Sequence, residues 1–436
     1  MPFVFHDRVF ATELLRTIGY TADDGADIDE CLATAARIAD GDVEGWYAEW
    51  RKTADRARRA ADEGLAGGHT VSARESYLRA ANYYRTAGVF LHIDPGDPRI
   101  EMLWGNSQAC LGAATKLLPS PGEAIEIPYA RIALPGYFYR VDDRGMARPT
   151  LIIHGGPGST LEELYFCGVT GALRRGYNCL TFDGPGQGGL IRRQRLSLRP
   201  DWEHVITPVV DYALTRPEID HRRLILMGTN AGGYLAARAA AFEHRLAACI
   251  LLNGLFDVYE SIMAGMSRLL CSAIARVNNP VAALTIRAML CFDLTSRRKI
   301  THAMWAWGAA SLQTWLRQIA DYTLQGVVDT ITCPTLVLDS EQEHYRSGQA
   351  WKLYKALTCP KTYMCFTAEE CAGERGGVGA SPLCHQRMFD WLDETLTYSV
   401  WQSPSLLLAS AREIRGSDRL TDAKGSDRTL HETLKT

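Results

Sequence analysis

The sequence predicts an α/β fold: a mostly parallel, doubly wound sheet with an N-terminal helical domain and a helical cap insertion. Three observations predict it. Short apolar runs such as Thr150-Leu151-Ile152-Ile153 and Ala248-Cys249-Ile250-Leu251-Leu252 alternate with helical patterns, as buried parallel strands joined by crossover helices do. One such run, Leu224-Ile225-Leu226-Met227, passes straight into Gly228-Thr229-Asn230-Ala231-Gly232-Gly233 and an Ala-rich segment, which reads as strand, tight turn, helix. The stretches from residue 28 to about 92 and from 256 to 330 have helical composition and spacing.

These observations divide the chain into an N-terminal helical domain at 1–120, a first core segment at 121–255, a helical cap at 256–330, a second core segment at 331–403 and a polar tail at 404–436. From residue 28 to about 92, aromatics and apolar residues recur three and four apart, as in Trp46, Tyr47 and Trp50 and then Tyr77, Ala80, Ala81 and Tyr84. Arginines on the adjoining faces read as solvated, with Tyr83 or Tyr84 a candidate pocket residue. Gly96-Asp97-Pro98 opens another helix, residues 125–141 alternate and turn like an antiparallel hairpin, and 150–153 is a fully buried strand. Strands follow at 177–182, 224–227, 248–252, 335–338 and 362–366, with a closing helix at 386–396. The cap carries Met304-Trp305-Ala306-Trp307, which makes Trp305 a candidate substrate contact. The tail, rich in Ser, Asp, Arg, Lys and Thr, is expected to be disordered.

Composition narrows the function classes. With 436 residues, 47% of them apolar, the chain can bury a large core. A formal net charge of −3 without charge runs leaves no basic footprint, so nucleic acid is not an expected partner. The 12 cysteines fall within predicted strands and helices, not at metal or disulfide spacings, which suits reduced thiols in the cytoplasm. The first 20 residues have neither the pattern of a secretory signal nor that of a membrane anchor, and no run approaches about 18 apolar residues, so no membrane association is expected.

The turn at 228–232 has the layout of the nucleophile elbow of α/β-hydrolases, whose pattern is G-x-S-x-G. Position 230 is Asn, and a carboxamide has no hydroxyl to activate. Upstream, His154-Gly155-Gly156-Pro157-Gly158-Ser159 follows a strand, as does the loop that completes an oxyanion hole in that fold. Gly156 and Ala231 are therefore the candidate backbone donors, since Pro157 has no N–H. His154 reads as a structural hydrogen-bonder.

The runs Asn178-Cys179-Leu180-Thr181-Phe182-Asp183-Gly184-Pro185-Gly186-Gln187-Gly188, Arg199-Pro200-Asp201-Trp202-Glu203, Thr207-Pro208-Val209-Val210-Asp211-Tyr212 and Arg238-Ala239-Ala240-Ala241-Phe242-Glu243-His244-Arg245 resemble a specific group. It is the α/β-hydrolases that include 2,6-dihydropseudooxynicotine hydrolase and the fungal polyketide-tailoring hydrolases of pigment and fusarin-type pathways. The resemblance covers roughly residues 46–396. It implies an α/β-hydrolase fold, a Ser-Asp-His triad, no metal or organic cofactor, and cleavage beside a carbonyl or processing of polyketide chains. Carried across position by position, the nucleophile is Asn230, the acid falls on Glu343 and the base on Arg375 in Glu369-Glu370-Cys371-Ala372-Gly373-Glu374-Arg375. Arginine cannot accept a proton in a protein; with Glu343 it is suited instead to a bidentate ion pair. Asp183 matches a conspicuous acid of that group, with two readings open: a substrate contact or a cap on its own turn.

Loss of the serine or histidine of a triad costs on the order of a millionfold in turnover, whereas a hydrogen-bond donor aimed at developing negative charge still contributes roughly 3–4 kcal/mol. The leading expectation is therefore a cyclase or isomerase of secondary metabolism that holds and polarises a polyketide-like, carbonyl-rich small molecule without hydrolysing it. A hydrolase or carbon–carbon lyase using water activated by Glu343 is a second reading, and a non-catalytic binding protein a third. Ser159, Cys371, His344 and His385 are the residues from which a nucleophile–base pair would have to be rebuilt. The helical N-terminal domain offers a surface for a homodimer.

Overall fold

The structure is a computed structural model that describes residues 4–264, 294–341, 348–370 and 379–397. Its centre is an eight-stranded sheet: β1 (Glu123–Tyr129), β2 (Ile132–Tyr139), β3 (Arg148–His154), β4 (Asn178–Phe182), β5 (Ile219–Thr229), β6 (Ala248–Leu252), β7 (Thr335–Ser340) and β8 (Lys361–Phe366). The spatial order is β1-β2-β4-β3-β5-β6-β7-β8. β1 and β2 form an antiparallel hairpin, β2 also runs antiparallel to β4, and every later pairing is parallel. Burial explains the apolar runs: every residue of β3 and β4 is buried, as expected of strands covered on both faces.

Helices precede the sheet and connect its strands. α1 (Arg8–Gly19), α2 (Ile28–Ala35), α3 (Val43–Ala66), α4 (Thr70–Gly88) and α5 (Pro98–Lys116) come before β1. The Asp7, Asp27, Asp42 and Asp97 carboxylates accept from first-turn N–H groups, which satisfies donors that would otherwise lack partners. α1 lies outside the helical stretch expected from residue 28 onward. Its apolar Phe10 is an integral part of an aromatic cluster, stacked on Phe90 at 4.4 Å and set edge-on to Trp46 at 5.0 Å. Trp46 is fully buried and donates its indole N–H to the Thr86 carbonyl at 2.8 Å, which ties α3 to α4.

Between the strands lie α6 (Leu161–Leu164), a π turn (Tyr165–Val169), α7 (Thr170–Arg174), α8 (Gly188–Gln194), α9 (Glu203–Ala213) and α10 (Gly232–Ala240). The insertion between β6 and β7 contains α11 (Val258–Ala264), α12 (Leu294–Ala306) and α13 (Leu312–Ile319). α14 (Gln349–Ala356) separates β7 from β8, and α15 (Ser381–Thr395) closes the fold. The chain divides into Met1–Asp390 and Trp391–Thr436, and residues 391–397 are the described part of the second unit. The tail expected to be disordered, 404–436, lies outside the described residues, as do Glu343, His344, Cys371 and Arg375.

The strand order positions the site. From β3 the chain goes first to β4 on one side and then, by way of α9, to β5 on the other. The carboxyl ends of β3 and β5 therefore flank a topological switch point, where open α/β sheets leave a crevice. The register is explicit: Ile153 pairs with Met227 and His154 with Gly228, so the loop after β3 and the turn after β5 leave the sheet side by side.

Candidate active site

The turn between β5 and α10 is sharp because its glycines leave no alternative. A Cβ on Gly228 would collide with the Gly232 carbonyl, and one on Gly232 would lie 2.7 Å from the Gly155 carbonyl oxygen. Asn230 stands at the tip with φ +56°, in the left-handed region that L-residues other than Asn and Asp rarely enter. The elbow backbone is thus formed and presents a carboxamide. Asn230 is exposed, and what it is exposed to is a cavity of about 350 Å³.

The loop after β3 closes on this turn. A Cβ on Gly156 would lie 2.9 Å from the Ala231 Cβ and 3.1 Å from the Gly232 N. Gly156 and Ala231 both line the cavity, and neither N–H has an acceptor among the described residues. The segment 183–188 holds that loop from behind. Gly158 N–H donates to Gly186 O at 2.8 Å, Gly188 N–H to Ser159 O at 2.8 Å, and the buried Gln187 amide to Gly155 O at 2.7 Å. Asp183 belongs to this brace and does not line the cavity: it is 2% exposed and packed against Gly188. Of its two readings, the geometry leaves the local one. Burial, with the Glu162 carboxyl nearby, pushes its pKa well up.

Tyr83 does not reach the cavity either. Its hydroxyl accepts from Asp27 N–H and donates to Glu30, both at 2.8 Å, whereas its neighbour Tyr84 lines the cavity wall. The cause is the helical phase of α4, which turns consecutive residues about 100° apart. Trp305 stands one layer back, its ring 5.5 Å from His302 and 5.4 Å from the Arg192 guanidinium, and it is His302 that lines the cavity.

Among the described residues, neither Ser159 nor a histidine forms a nucleophile–base pair. Ser159 lines the cavity but donates its hydroxyl to Gly156 O at 2.8 Å. His302 packs against Gly158, next to Ser159 in sequence, yet no hydrogen bond joins the two side chains. Burial, together with Arg192 and Arg298, holds the His302 pKa down to about 3, so the imidazole is neutral but a poor proton acceptor. His154 is fully buried, hydrogen-bonds Gly155 O at 3.1 Å and is lowered by burial to about 4. His385 lies within 3.3 Å of the Cys167 carbonyl, wedged against Gly171, which is a packing role. At the end of β7, Tyr363 donates to Asp339 at 2.8 Å. Among the described residues, no group of His, Cys, Asp or Glu is set to hold a metal ion, and no helix is long and apolar enough to cross a membrane.

The remaining walls were not singled out from sequence. α1 contributes Glu13 and Arg16, α4 Arg85, α5 Trp104, α8 Arg192, and α12 Arg298, Lys299 and His302. Arg16 pairs with Glu163 and with Glu13, the latter at 3.4 Å, and Arg298 donates to the Val89 carbonyl at 3.3 Å. The only signal for them in the sequence is a cationic residue on otherwise ordinary amphipathic helices.

A parallel sheet with an antiparallel edge hairpin, a Gly-bounded elbow after its fifth strand and a donor loop after its third define an α/β-hydrolase. The chain belongs to the alpha/beta hydrolase family, whose match spans residues 150–372. Its similar proteins include Hydrolase acrC of Aspergillus aculeatus, 36% identical over 88% of this chain and 96% of that one. They also include 20-hydroxy-prefusarin hydrolase FUS2 of Gibberella moniliformis, 35% identical over 91% of this chain and 98% of that one. Among solved structures, the 2,6-dihydroxy-pseudo-oxynicotine hydrolase superposes with a TM-score of 0.68 at 21% identity, over 87% of this chain and 95% of that one, which shows the shared fold.

Proposed function

We propose that this protein is a non-hydrolytic α/β-hydrolase-fold enzyme that accelerates cyclisation or rearrangement of a polyketide-like, carbonyl-rich small molecule. The observation that carries the reading is Asn230, held at φ +56° at the elbow tip beside the N–H groups of Gly156 and Ala231. Two backbone donors and a carboxamide N–H can take a carbonyl oxygen as it gains negative charge. Each donor of this kind contributes about 3–4 kcal/mol when water is excluded. The cavity, about 350 Å³, lies in the size range that holds a small ligand and restrains its conformation. No proton need pass through Asn230, and no covalent adduct forms on it. The fungal relatives, one of them named for a prefusarin substrate, support a secondary-metabolite substrate.

Those relatives are also named hydrolases, which keeps a second reading in view: the same donors polarising a carbonyl for attack by water, with Glu343 as the base. One experiment separates the two. A linear carbonyl-rich precursor is incubated with the protein in H₂¹⁸O and followed by mass spectrometry and NMR. Ring formation faster than in buffer, without ¹⁸O gained by a cleaved product, is the expected result. Cleavage with label incorporation would establish hydrolysis, and unchanged precursor would reject both.

A further inference from the structure

Five cations, Arg16, Arg85, Arg192, Arg298 and Lys299, line the cavity against two carboxylates, Glu13 and Glu163. Among the described lining residues cations thus outnumber carboxylates by three, in a chain whose formal net charge is −3, and Arg298 approaches Glu13 at 4.0 Å. The imbalance is not diffuse. Arg16 is answered by Glu13 and Glu163. Arg85 has no ion-pair partner among the described residues: its Nε and Nη2 donate to the neutral Asn82 amide oxygen at 3.2 and 3.0 Å and Nη2 to the Thr86 hydroxyl at 3.1 Å, and its guanidinium lies over the Tyr20 ring at 5.7 Å. Arg192 makes no direct ion pair either, although the buried Asp183 and Glu162 carboxyls and Glu101 lie near enough to act on its charge. It is held between the rings of Trp104 and Trp305, each 5.4 Å away, with Nη1 on the Gly188 carbonyl and a buried Nε without an acceptor.

A buried charge without a counter-ion is costly, and a guanidinium remains charged at neutral pH, so such sites are built where a ligand supplies the anion. Burial and the neighbouring Arg16 pull the Arg85 pKa down to about 10, which still leaves it protonated at pH 7. The two histidines on this wall, His92 and His302, are held neutral by burial and by Arg192 and Arg298, so they add no charge of their own.

We propose that the cavity binds its substrate as an anion, with Arg85 Nη1, which no described residue accepts from, taking an oxygen of a carboxylate or of the ionised enol of a 1,3-dicarbonyl. With Nε and Nη2 committed to Asn82 and Thr86, the donors left on Arg85 are the two N–H groups of Nη1, and a hydrogen bond from a charged donor to a charged oxygen is about twice as strong as a neutral one. The positive charge of Arg85 and Arg192 on the walls draws such an anion inward and orients it before it reaches the donors at Gly156, Ala231 and Asn230. This specifies the substrate class of the site proposed above and rests on that site being the reactive one, but not on which reaction follows.

The test is binding alone, by isothermal titration calorimetry on the full chain at low and high salt. The probes are hexanoate, the anion of 5,5-dimethyl-1,3-cyclohexanedione, hexanol and hexylammonium. At least one of the two anions should bind roughly 10–100-fold more tightly than hexanol, the worth of a hydrogen bond to a charged group, and weaken with salt. Which anion wins identifies the group recognised. Arg85→Met should abolish the preference, Arg85→Lys should keep part of it, and Arg199→Gln, remote and paired with Asp201, should leave it unchanged. Melting temperatures of all variants show whether the fold is intact. Equal affinity for anion and alcohol, or an anion preference that survives in folded Arg85→Met, overturns the proposal. Anion binding through Arg85 without ring closure of a precursor would instead retain the subsite and reject the cyclisation reading.

Discussion

Substituting Asn230 separates backbone strain from chemistry, because the residue sits at φ +56° with its side chain exposed to the cavity. For an ordinary L-residue the left-handed conformation costs roughly 1–2 kcal/mol, a cost that Asn reduces and Gly escapes, though Gly loses about 0.5–1 kcal/mol of chain entropy on folding. Asn230→Gly should therefore leave stability within about 0.5 kcal/mol of the parent, Asn230→Ala should lower it by about 1 kcal/mol, and Asn230→Val, β-branched, by about 2 kcal/mol or more. Activity should not follow this order. All three variants lose the same carboxamide donor, worth about 3–4 kcal/mol at a developing oxyanion, so each should lose roughly 10²–10³-fold in turnover. Urea denaturation midpoints measure the first quantity and precursor turnover the second. A glycine variant that folds as well as the parent and turns over within twofold of it would refute a chemical role for Asn230. An alanine variant more stable than the glycine one would refute the left-handed backbone.

Three other perturbations bear on the scaffold. Gly232→Ala places a methyl 2.7 Å from the Gly155 carbonyl and should cost about 1–3 kcal/mol by overpacking, read in urea, with turnover lost as the donor loop shifts. Trp46→Ala empties the aromatic cluster joining α1, α3 and α4 and should cost about 3–5 kcal/mol, measured the same way. His154 and His302 are held neutral, with pKa values near 4 and 3 against about 6.5 in the unfolded chain. The unfolded state thus binds more protons between pH 6.5 and those values. Stability is fully present above about pH 6.5 and falls as pH drops, by up to about 1.4 kcal/mol per unit for each histidine. His154→Gln should flatten the denaturation midpoint against pH between 6.5 and 4, and an unchanged slope would show that this imidazole is not buried neutral.

What could be read from the sequence follows from how far apart the cooperating residues lie. The strands at 150–153 and 248–252 were legible because burial on both faces demands unbroken apolar runs, and the elbow because two glycines and an αL-tolerant residue fall within five positions. The cavity walls were not. Glu13, Arg85, Arg192 and Arg298 lie on four helices spread over nearly 300 residues, and each alone looks like the charged face of an amphipathic helix. α1 falls inside the helical domain drawn at 1–120, but its own pattern is not legible for the same reason: its burial partner Phe90 lies 80 positions away. The choice of Tyr83 over Tyr84 could not be made without the phase of α4, and Trp305 fell one layer behind His302 because a Trp-rich run says where a helix packs, not which ring faces the space left over. Glu343 and Arg375 lie outside the described residues, so their ion pair stands as a sequence expectation.

The residue at the elbow tip is constrained more tightly by the backbone than by any reaction. With Gly228 and Gly232 locked against each other and against Gly155, the tip must sit near φ +56°, which leaves Gly, Asn and Asp as the inexpensive choices. Glycine would bring no donor. Aspartate would place a negative charge where Gly156 and Ala231 present N–H groups to an oxygen that is itself becoming negative, and like charges at that distance oppose the transition state. Asparagine is the one of the three that keeps the strained turn, adds two N–H donors and withholds a nucleophile. On the proposed reading the groups that face the reacting carbonyl, the Gly156 and Ala231 N–H groups and the Asn230 amide, donate to oxygen, and none of the three attacks carbon. Donors of that kind suit the enolate-like states through which carbonyl compounds condense, and the proposed ring closure asks for no acyl intermediate on Asn230.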